Sequence, residues 1–310
     1  MSEYFVTDIE ITQFKCFSDF TVSGFKRVNL IGGKNNMGKT ALMEACFINL
    51  HSIDVDTMIT VIHSVKFARE NLNFISQGID DLKLLNATPQ YSAKTNLSHK
   101  AFYITENNAK KEYQFVINDW SKSIAEKDLS LNFVFFENIL FIDKFGWSDG
   151  DLAKAFHTAQ RLGYEFQLNR SLKEFDRSLE GIQITGDQVQ CKTHGVFLDI
   201  NDFGGGLKHY LSILCALCVC KNGYLFIDEI DNVLHHSQLD NLWELILKLS
   251  KATHCQVFAT THSEAMPNYL ARMARKLDDQ AISYTLLDRN PQHELVVESF
   301  GFPQLTRNLD

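Results

Sequence analysis

The sequence predicts an α/β fold with a mostly parallel central sheet, an added N-terminal antiparallel β layer and a helical lobe. Three observations predict it. A strand, a glycine-rich loop and a helix follow one another between Val28 and Ile48. An apolar strand, Tyr224 to Ile227, ends directly in two acids, Asp228 and Glu229. A further buried strand, Gln256 to Ala259, comes after it across an amphipathic helix. Strands separated by helices in this way pair in parallel, because each crossover helix returns the chain to the same sheet edge.

The elements read in order as follows. Phe5, Ile9, Ile11, Phe14 and Phe17 suggest two short strands and an intervening turn. Val28 to Ile31 is a buried strand feeding Gly32-Gly33, and helical spacing begins at Lys39 with Ala41, Leu42, Ala45, Cys46 and Ile48. Thr60 to Leu72 is expected to be a helix. Ala101 to Asn118 reads as a hairpin turning at Asn107-Asn108, and Leu131 to Ile142 as strand. Asp151 to Leu179 reads as helix and Gly181 to Ile200 as short strands. Leu207 to Cys220 is helical. Leu239, Leu242, Trp243, Ile246 and Leu249 line one face of another helix, and Ser263 is placed to cap a third.

Composition sets the broad class. The chain has 310 residues, 45% hydrophobic and 22% charged, with only four prolines and no Pro- or Ser-rich linker, so one continuous fold over residues 1–310 is expected. Residues 1–50 and 200–310 would form its core, and residues 51–199 its hairpins and helical lobe. A net charge of −8 argues against a protein whose main task is coating nucleic acid. No signal pattern opens the chain and the apolar run Tyr210 to Cys220 is too short to span a bilayer, so a cytoplasmic protein without a membrane segment is expected. The seven cysteines are then free thiols, and Cys215 and Cys218, though spaced CxxC, read as core because no second pair completes a metal site.

The chemistry concentrates in four motifs. Gly33-Lys34-Asn35-Asn36-Met37-Gly38-Lys39-Thr40 matches GxxxxGK[ST] between a strand and a helix. Its glycines let successive N–H groups turn inward as an anion nest, and the helix start adds partial positive charge. Lys39 can reach β- and γ-phosphates, and Thr40 can offer a hydroxyl to Mg²⁺. A strand carrying Asp228 and Glu229 at its C-terminal end delivers them to the ligand edge of a parallel sheet. Asp228 would face the Mg²⁺ shell, and Glu229 would orient or deprotonate a water. Thr260-Thr261-His262-Ser263 ends the next strand, 33 residues after Glu229 at His262, where a histidine could sense the γ-phosphate. Finally Gly204-Gly205-Gly206 opens a helix just upstream of the acidic strand, a second phosphate-facing N-terminus that would serve another subunit's nucleotide.

In this order the four motifs resemble the ABC-type ATPases. More narrowly they are similar to the compact RecF-like and OLD-like ATPases of bacteria, among them the ATPase subunits of PARIS-like and Septu-like antiphage systems. The resemblance rests on Ile11-Thr12-Gln13-Phe14-Lys15-Cys16-Phe17, on Asn29 to Asn36, and on Gly204 to Lys208 in place of the transporters' LSGGQ. It implies an ATP hydrolase that dimerises head to tail around two ATP molecules. Each site would join Lys39, Thr40, Asp228, Glu229 and His262 of one chain to Gly204, Gly205 and Gly206 of the other. The sequence departs from transporters in lacking the signature serine, where Gly204 stands, and the D-loop aspartate, where His235 stands. It departs also in showing no glutamine for the loop that links the two lobes; Lys144, just after the Phe141 strand, is the candidate for that neighbourhood.

No sustained heptads fill the stretch between Thr40 and Gly204, so a long coiled-coil arm is not expected. About 45 residues follow His262, which leaves no room for a metal-binding TOPRIM nuclease domain. The expected partners are therefore a second copy, or a higher assembly, and a separate effector protein such as a nuclease in a multi-component system, plausibly antiphage defence. A RecF-like ATPase acting on DNA directly is the alternative, which the negative charge disfavours.

Overall fold

A computed structural model describes residues 5–70, 91–107, 112–125, 138–186, 188–232 and 234–307. The chain divides into two compact units. The first holds residues 1–25, 35–136 and 287–297, and the second holds 26–34, 137–286 and 298–310.

The first unit is built on a six-stranded antiparallel sheet. Its strands are β1 (Asp8–Phe14), β2 (Phe17–Ser23), β4 (Tyr91–Thr95), β5 (Ser98–Asn107), β6 (Glu112–Ile117) and β7 (Trp120–Ala125), in the order β2-β1-β4-β5-β6-β7. Ile9, Ile11 and Phe14 are buried while Glu10 and Gln13 are exposed, the alternation of a sheet with one covered face. The register of β1 on β4 shifts between Ile11 and Gln13. That bulge is what lets Ile11 and Phe14, three apart, both point inward. The covering element is α1 (Lys39–His51), joined to the sheet by Tyr91 Oη donating to Ala45 O at 2.6 Å and Thr95 Oγ1 donating to Asn49 Oδ1 at 2.9 Å. Helix α2 spans Val55–Glu70, starting earlier than the apolar spacing suggested. Asp54 accepts both the Thr57 N–H at 2.8 Å and its hydroxyl at 2.9 Å, so the N-cap precedes the periodic run. The predicted hairpin forms as β5 with β6. Its turn residue Asn108, and residues 71, 72 and 131–137 of the predicted helix and strand, lie outside the described residues.

At the end of α1, His51 is buried, with Nδ1 2.9 Å from Phe47 O and its ring 4.3 Å from that of Phe47. Burial pushes its pKa down to about 4. The unfolded chain takes up this proton near 6.5 and the folded one resists it until about 4. The group's contribution is therefore complete above pH 6.5 and lost as pH falls toward 4, at up to about 1.4 kcal/mol per pH unit. Urea midpoints measured from pH 7 to 4.5 should fall less steeply for His51→Gln than for the wild type.

The second unit holds β3, β13, β12, β8 and residues 282–286 of β14, in a central sheet ordered β15-β14-β3-β13-β12-β8. These are β15 (Leu295–Gly301), β14 (Ile282–Arg289), β3 (Val28–Gly32), β13 (Gln256–Thr260), β12 (Tyr224–Ile227) and β8 (Ile139–Ile142). All pairs from β14 to β8 are parallel. All five residues of β3 and all five of β13 are buried, as parallel strands covered on both faces require. Asn29 is tolerated there because its side chain is fully bonded, donating to Lys26 O and Val257 O and accepting from Lys26 N and Ser283 Oγ.

One apolar core covers this sheet, drawn largely from helices α5 (Gly205–Val219), α6 (Leu239–Thr253) and α7 (Met266–Lys276). Cys215 and Cys218 belong to it, as expected of apolar helix positions. The helical lobe is α3 (Asp149–Arg161) and α4 (Glu165–Phe175) beside a three-stranded antiparallel sheet. That sheet comprises β9 (Leu179–Thr185), β10 (Gln188–Thr193) and β11 (Val196–Asp199). One predicted helix over 151–179 is thus two, broken at Gly163, whose N–H bonds Gln160 O at 2.9 Å. A short α8 (Phe302–Thr306) follows β15. Ser263 does not cap α7, whose N-cap is Ala265; its hydroxyl instead accepts the N–H of Ala265 itself at 3.3 Å. The mixed α/β class, with a parallel central sheet and added antiparallel strands, is the one predicted. Among the described residues no helix is long and apolar enough to cross a membrane.

Candidate functional site

Gly33 closes β3 with φ 140°, and the chain passes through the loop to α1. In the first unit Asn36 takes a left-handed conformation, φ 61°, which asparagine tolerates. Gly38 is the N-cap of α1 at φ 87°, with no side-chain cap on the helix. Two constraints require glycine at 38: the positive φ, and the turn between β1 and β2. A Cβ at 38 would stand 2.6 Å from Cys16 Sγ and 2.9 Å from the Phe17 ring. The Lys15-Cys16-Phe17 segment is therefore a wall of the loop. Lys39 begins the helix and is only 4% exposed, and the Leu42 N–H bonds Gly38 O at 2.8 Å. No acid stands in the first turn, where a carboxylate would oppose an anion at the helix N-terminus.

The second unit assembles the acidic strand end. Strand β12 is apolar up to Ile227, and the Asp228 N–H continues the parallel ladder to Ile142 O at 2.9 Å. Glu229 then turns left-handed, φ 49°, which is costly for a residue with a Cβ. Thr260, at the end of β13, holds it there. Its hydroxyl accepts the Glu229 N–H at 2.8 Å and donates to Asp228 Oδ1 at 2.7 Å, and its carbonyl accepts the Ile230 N–H at 2.9 Å. Thr261 repeats the device one residue on, donating to Asp231 Oδ1 at 2.8 Å and accepting the Ser263 N–H at 3.0 Å. His262 Nε2 then lies 3.2 Å from Glu229 Oε1, both side chains partly exposed. The two side chains, 33 residues apart in the chain, thus meet across adjoining strand ends.

Two groups at this end have no sequence motif. Asp143 follows β8 as Asp228 follows β12, and Ile142 and Ile227 are register partners. Burial and the Asp228 charge beside it raise the Asp143 pKa. Two carboxylates on adjoining strand ends suit a hard cation that keeps several waters and binds one or two carboxylates with substrate phosphates, which is the habit of Mg²⁺. Lys144, taken from the sequence for this neighbourhood, contributes its carbonyl, which accepts from Asn232 Nδ2 at 2.7 Å. The second is Thr260. Thr260→Val keeps the shape and removes both hydroxyl bonds, so hydrolysis should fall about tenfold or more as Glu229 loses its fixed geometry. Phosphate release compared with Thr260→Ser, which retains the hydroxyl, checks this.

Gly204 and Gly205 are exposed at the start of α5, and no side chain caps that helix. Lys208, one turn in, pairs with Asp149 of α3.

The family model described as the AAA ATPase domain matches residues 81–266, which include Asp228, Glu229 and His262. A curated relative, the ATP/GTP phosphatase of Helicobacter pylori, is 23% identical over 88% of this chain and 89% of its own. An uncharacterised protein of Methanocaldococcus jannaschii is 37% identical over 24% of this chain and 64% of its own. Among solved structures, the SmcHead bound to the C-winged helix domain of ScpA aligns with TM-score 0.54 and 13% identity, covering 96% of this chain and 99% of that one. The Smc head domain with an extended coiled coil, bound to the C-terminal domain of ScpA derived from Pyrococcus furiosus, aligns with TM-score 0.51 and 13% identity over 98% of both chains. At that identity the two structures share the fold with this chain.

Proposed function

The chain belongs to the AAA ATPase domain family, and from that premise we propose that it binds ATP with Mg²⁺ and hydrolyses it to ADP and phosphate. The observation that carries this reading is the Asp228–Glu229 pair locked by Thr260, with His262 on the Glu229 carboxylate. A strand that ends merely in solvated acids has no reason to hold the second one left-handed through a buried hydroxyl.

In this reading Gly33 to Gly38 surround the phosphates with backbone N–H groups, and Lys39 neutralises the β- and γ-phosphoryl oxygens. Thr40 and Asp228, with Asp143 as a further carboxylate, would hold Mg²⁺, which would offset charge on the transferring phosphoryl group. Glu229 takes a proton from the attacking water as its oxygen bonds to the γ-phosphorus and the bond to the β–γ bridging oxygen breaks. His262 moves from Glu229 to the γ-phosphate when nucleotide is present. Gly204, Gly205 and Gly206 of a second copy would close over the same phosphates, so that ATP favours a dimer and hydrolysis releases it. Residues 51–199 would then carry a surface for an effector protein such as a nuclease, in a multi-component system of the antiphage kind.

Phosphate release from ATP and from GTP, each with and without Mg²⁺, tests the proposal. Mg²⁺-dependent release that Glu229→Gln abolishes is the expected result. Release that persists in that variant removes Glu229 from the chemistry. The Helicobacter pylori relative is an ATP/GTP phosphatase, so both nucleotides belong in the assay.

A further inference from the structure

His209 lies in the first turns of α5, three residues beyond Gly206, with none of its surface exposed. Neither ring nitrogen has a hydrogen-bond partner among the described residues. A buried imidazole without partners costs stability, and an apolar helix such as α5 could have carried leucine there at no such cost. Burial pushes the ring's pKa down to about 4, so at neutral pH it is uncharged, with one nitrogen a donor and the other an acceptor.

Two routes connect this ring to the acidic strand end. The Glu229 carboxylate is the charge that acts on it. The other route is a chain of contacts through the turn after β8. The Asn232 N–H bonds Glu229 O at 2.8 Å, and Asn232 Nδ2 bonds Lys144 O at 2.7 Å. Two residues on, Gly146 packs so closely on α5 that a Cβ would stand 3.1 Å from His209 Cα and 2.9 Å from Ser212 Oγ. The Trp147 N–H then bonds Ser212 Oγ at 3.0 Å. This turn ties the backbone at Glu229 to α5 at His209 and Ser212.

We propose that His209 is a positioning residue that takes over the Glu229 carboxylate when His262 leaves it for the γ-phosphate. The carboxylate has an exposed partner, His262, 3.2 Å away, and its charge acts on a buried ring that has no hydrogen-bond partner among the described residues. In the resting state it points to His262. Once that bond is given up, rotation of the Glu229 side chain toward His209 satisfies the ring and holds the base against the attacking water. The inference rests on the reading of Glu229 as the base.

The test uses the full chain and compares three variants by melting temperature and by kcat and KM for Mg-ATP. His209→Leu should melt no lower than the wild type, because it removes two unsatisfied polar atoms while keeping apolar bulk. Its kcat should nonetheless fall about tenfold with KM changed less than twofold, and His209→Gln, which keeps a donor, should stay within about threefold of wild-type kcat. In a Glu229→Gln background, His209→Leu should have no further effect on single-turnover hydrolysis. If Leu does not fold, His209→Met, a more adaptable side chain, replaces it. A folded Leu or Met variant with wild-type kcat overturns the proposal, as does a Gln variant that loses as much as Leu. Wild-type turnover by Glu229→Gln would instead sink the reading of the site itself, and the role of His209 with it.

Discussion

Lys39→Ala is expected to lower affinity for Mg-ATP by at least about 100-fold and to bring hydrolysis to background. The lysine begins α1 at Gly38, where backbone N–H groups and the helix dipole supply partial charge but no formal cation. At 4% exposure its charge acts in a region of low dielectric, where removing a cation opposite phosphate costs far more than at a surface. Because the aliphatic stem is buried as well, Ala alone would confuse lost packing with lost charge. Lys39→Met retains the stem and should lose binding equally while keeping the melting temperature near that of the wild type. Titration with a fluorescent ATP analogue separates the cases: Met binding as tightly as Lys would mean that the charge does not engage phosphate.

Glu229→Gln should lower kcat by about 10²- to 10⁴-fold, the range of a general base, while leaving the affinity for ATP within a few-fold. Glutamine fits the same left-handed position and keeps its N–H on the Thr260 hydroxyl at 2.8 Å, so the local backbone should be unaltered. A loss confined to kcat marks an interaction made in the transition state alone, whereas a matched rise in KM would mark a ground-state contact. Steady-state phosphate release together with equilibrium ATP binding distinguishes them. The effect should exceed that of Thr260→Val, which loosens the carboxylate without removing it.

Much of this was legible in the sequence, and the boundary is physical. Strands β3, β12 and β13 could be read because parallel strands buried on both faces are short continuous apolar runs, and here each run ends at a chemically distinctive residue. The split of α3 from α4 had a local signal, Gly163, that the apolar spacing around it outweighed. The early start of α2 was likewise marked, by Asp54 three residues before Thr57. Asp143 and Thr260 had no such signal. Asp143 matters because β8 pairs with β12 in a register that sets Ile142 against Ile227, and pairing between strands about 85 residues apart is not written locally. Thr260 looks like any strand-ending threonine until β13 is laid beside β12. His209 was hidden by its surroundings, since a helix apolar on all sides reads as core whichever side chain it carries.

The proposed closure by ATP has one direct measurement: the solution mass of the Glu229→Gln protein by light scattering, with and without Mg-ATP, in which slow hydrolysis lets a closed state accumulate. The expected result is a mass that doubles on adding Mg-ATP and fails to do so when Lys39 is also replaced by Ala. A mass that is the same with and without Mg-ATP, in a protein shown by titration to be saturated, would contradict the ATP-driven dimer.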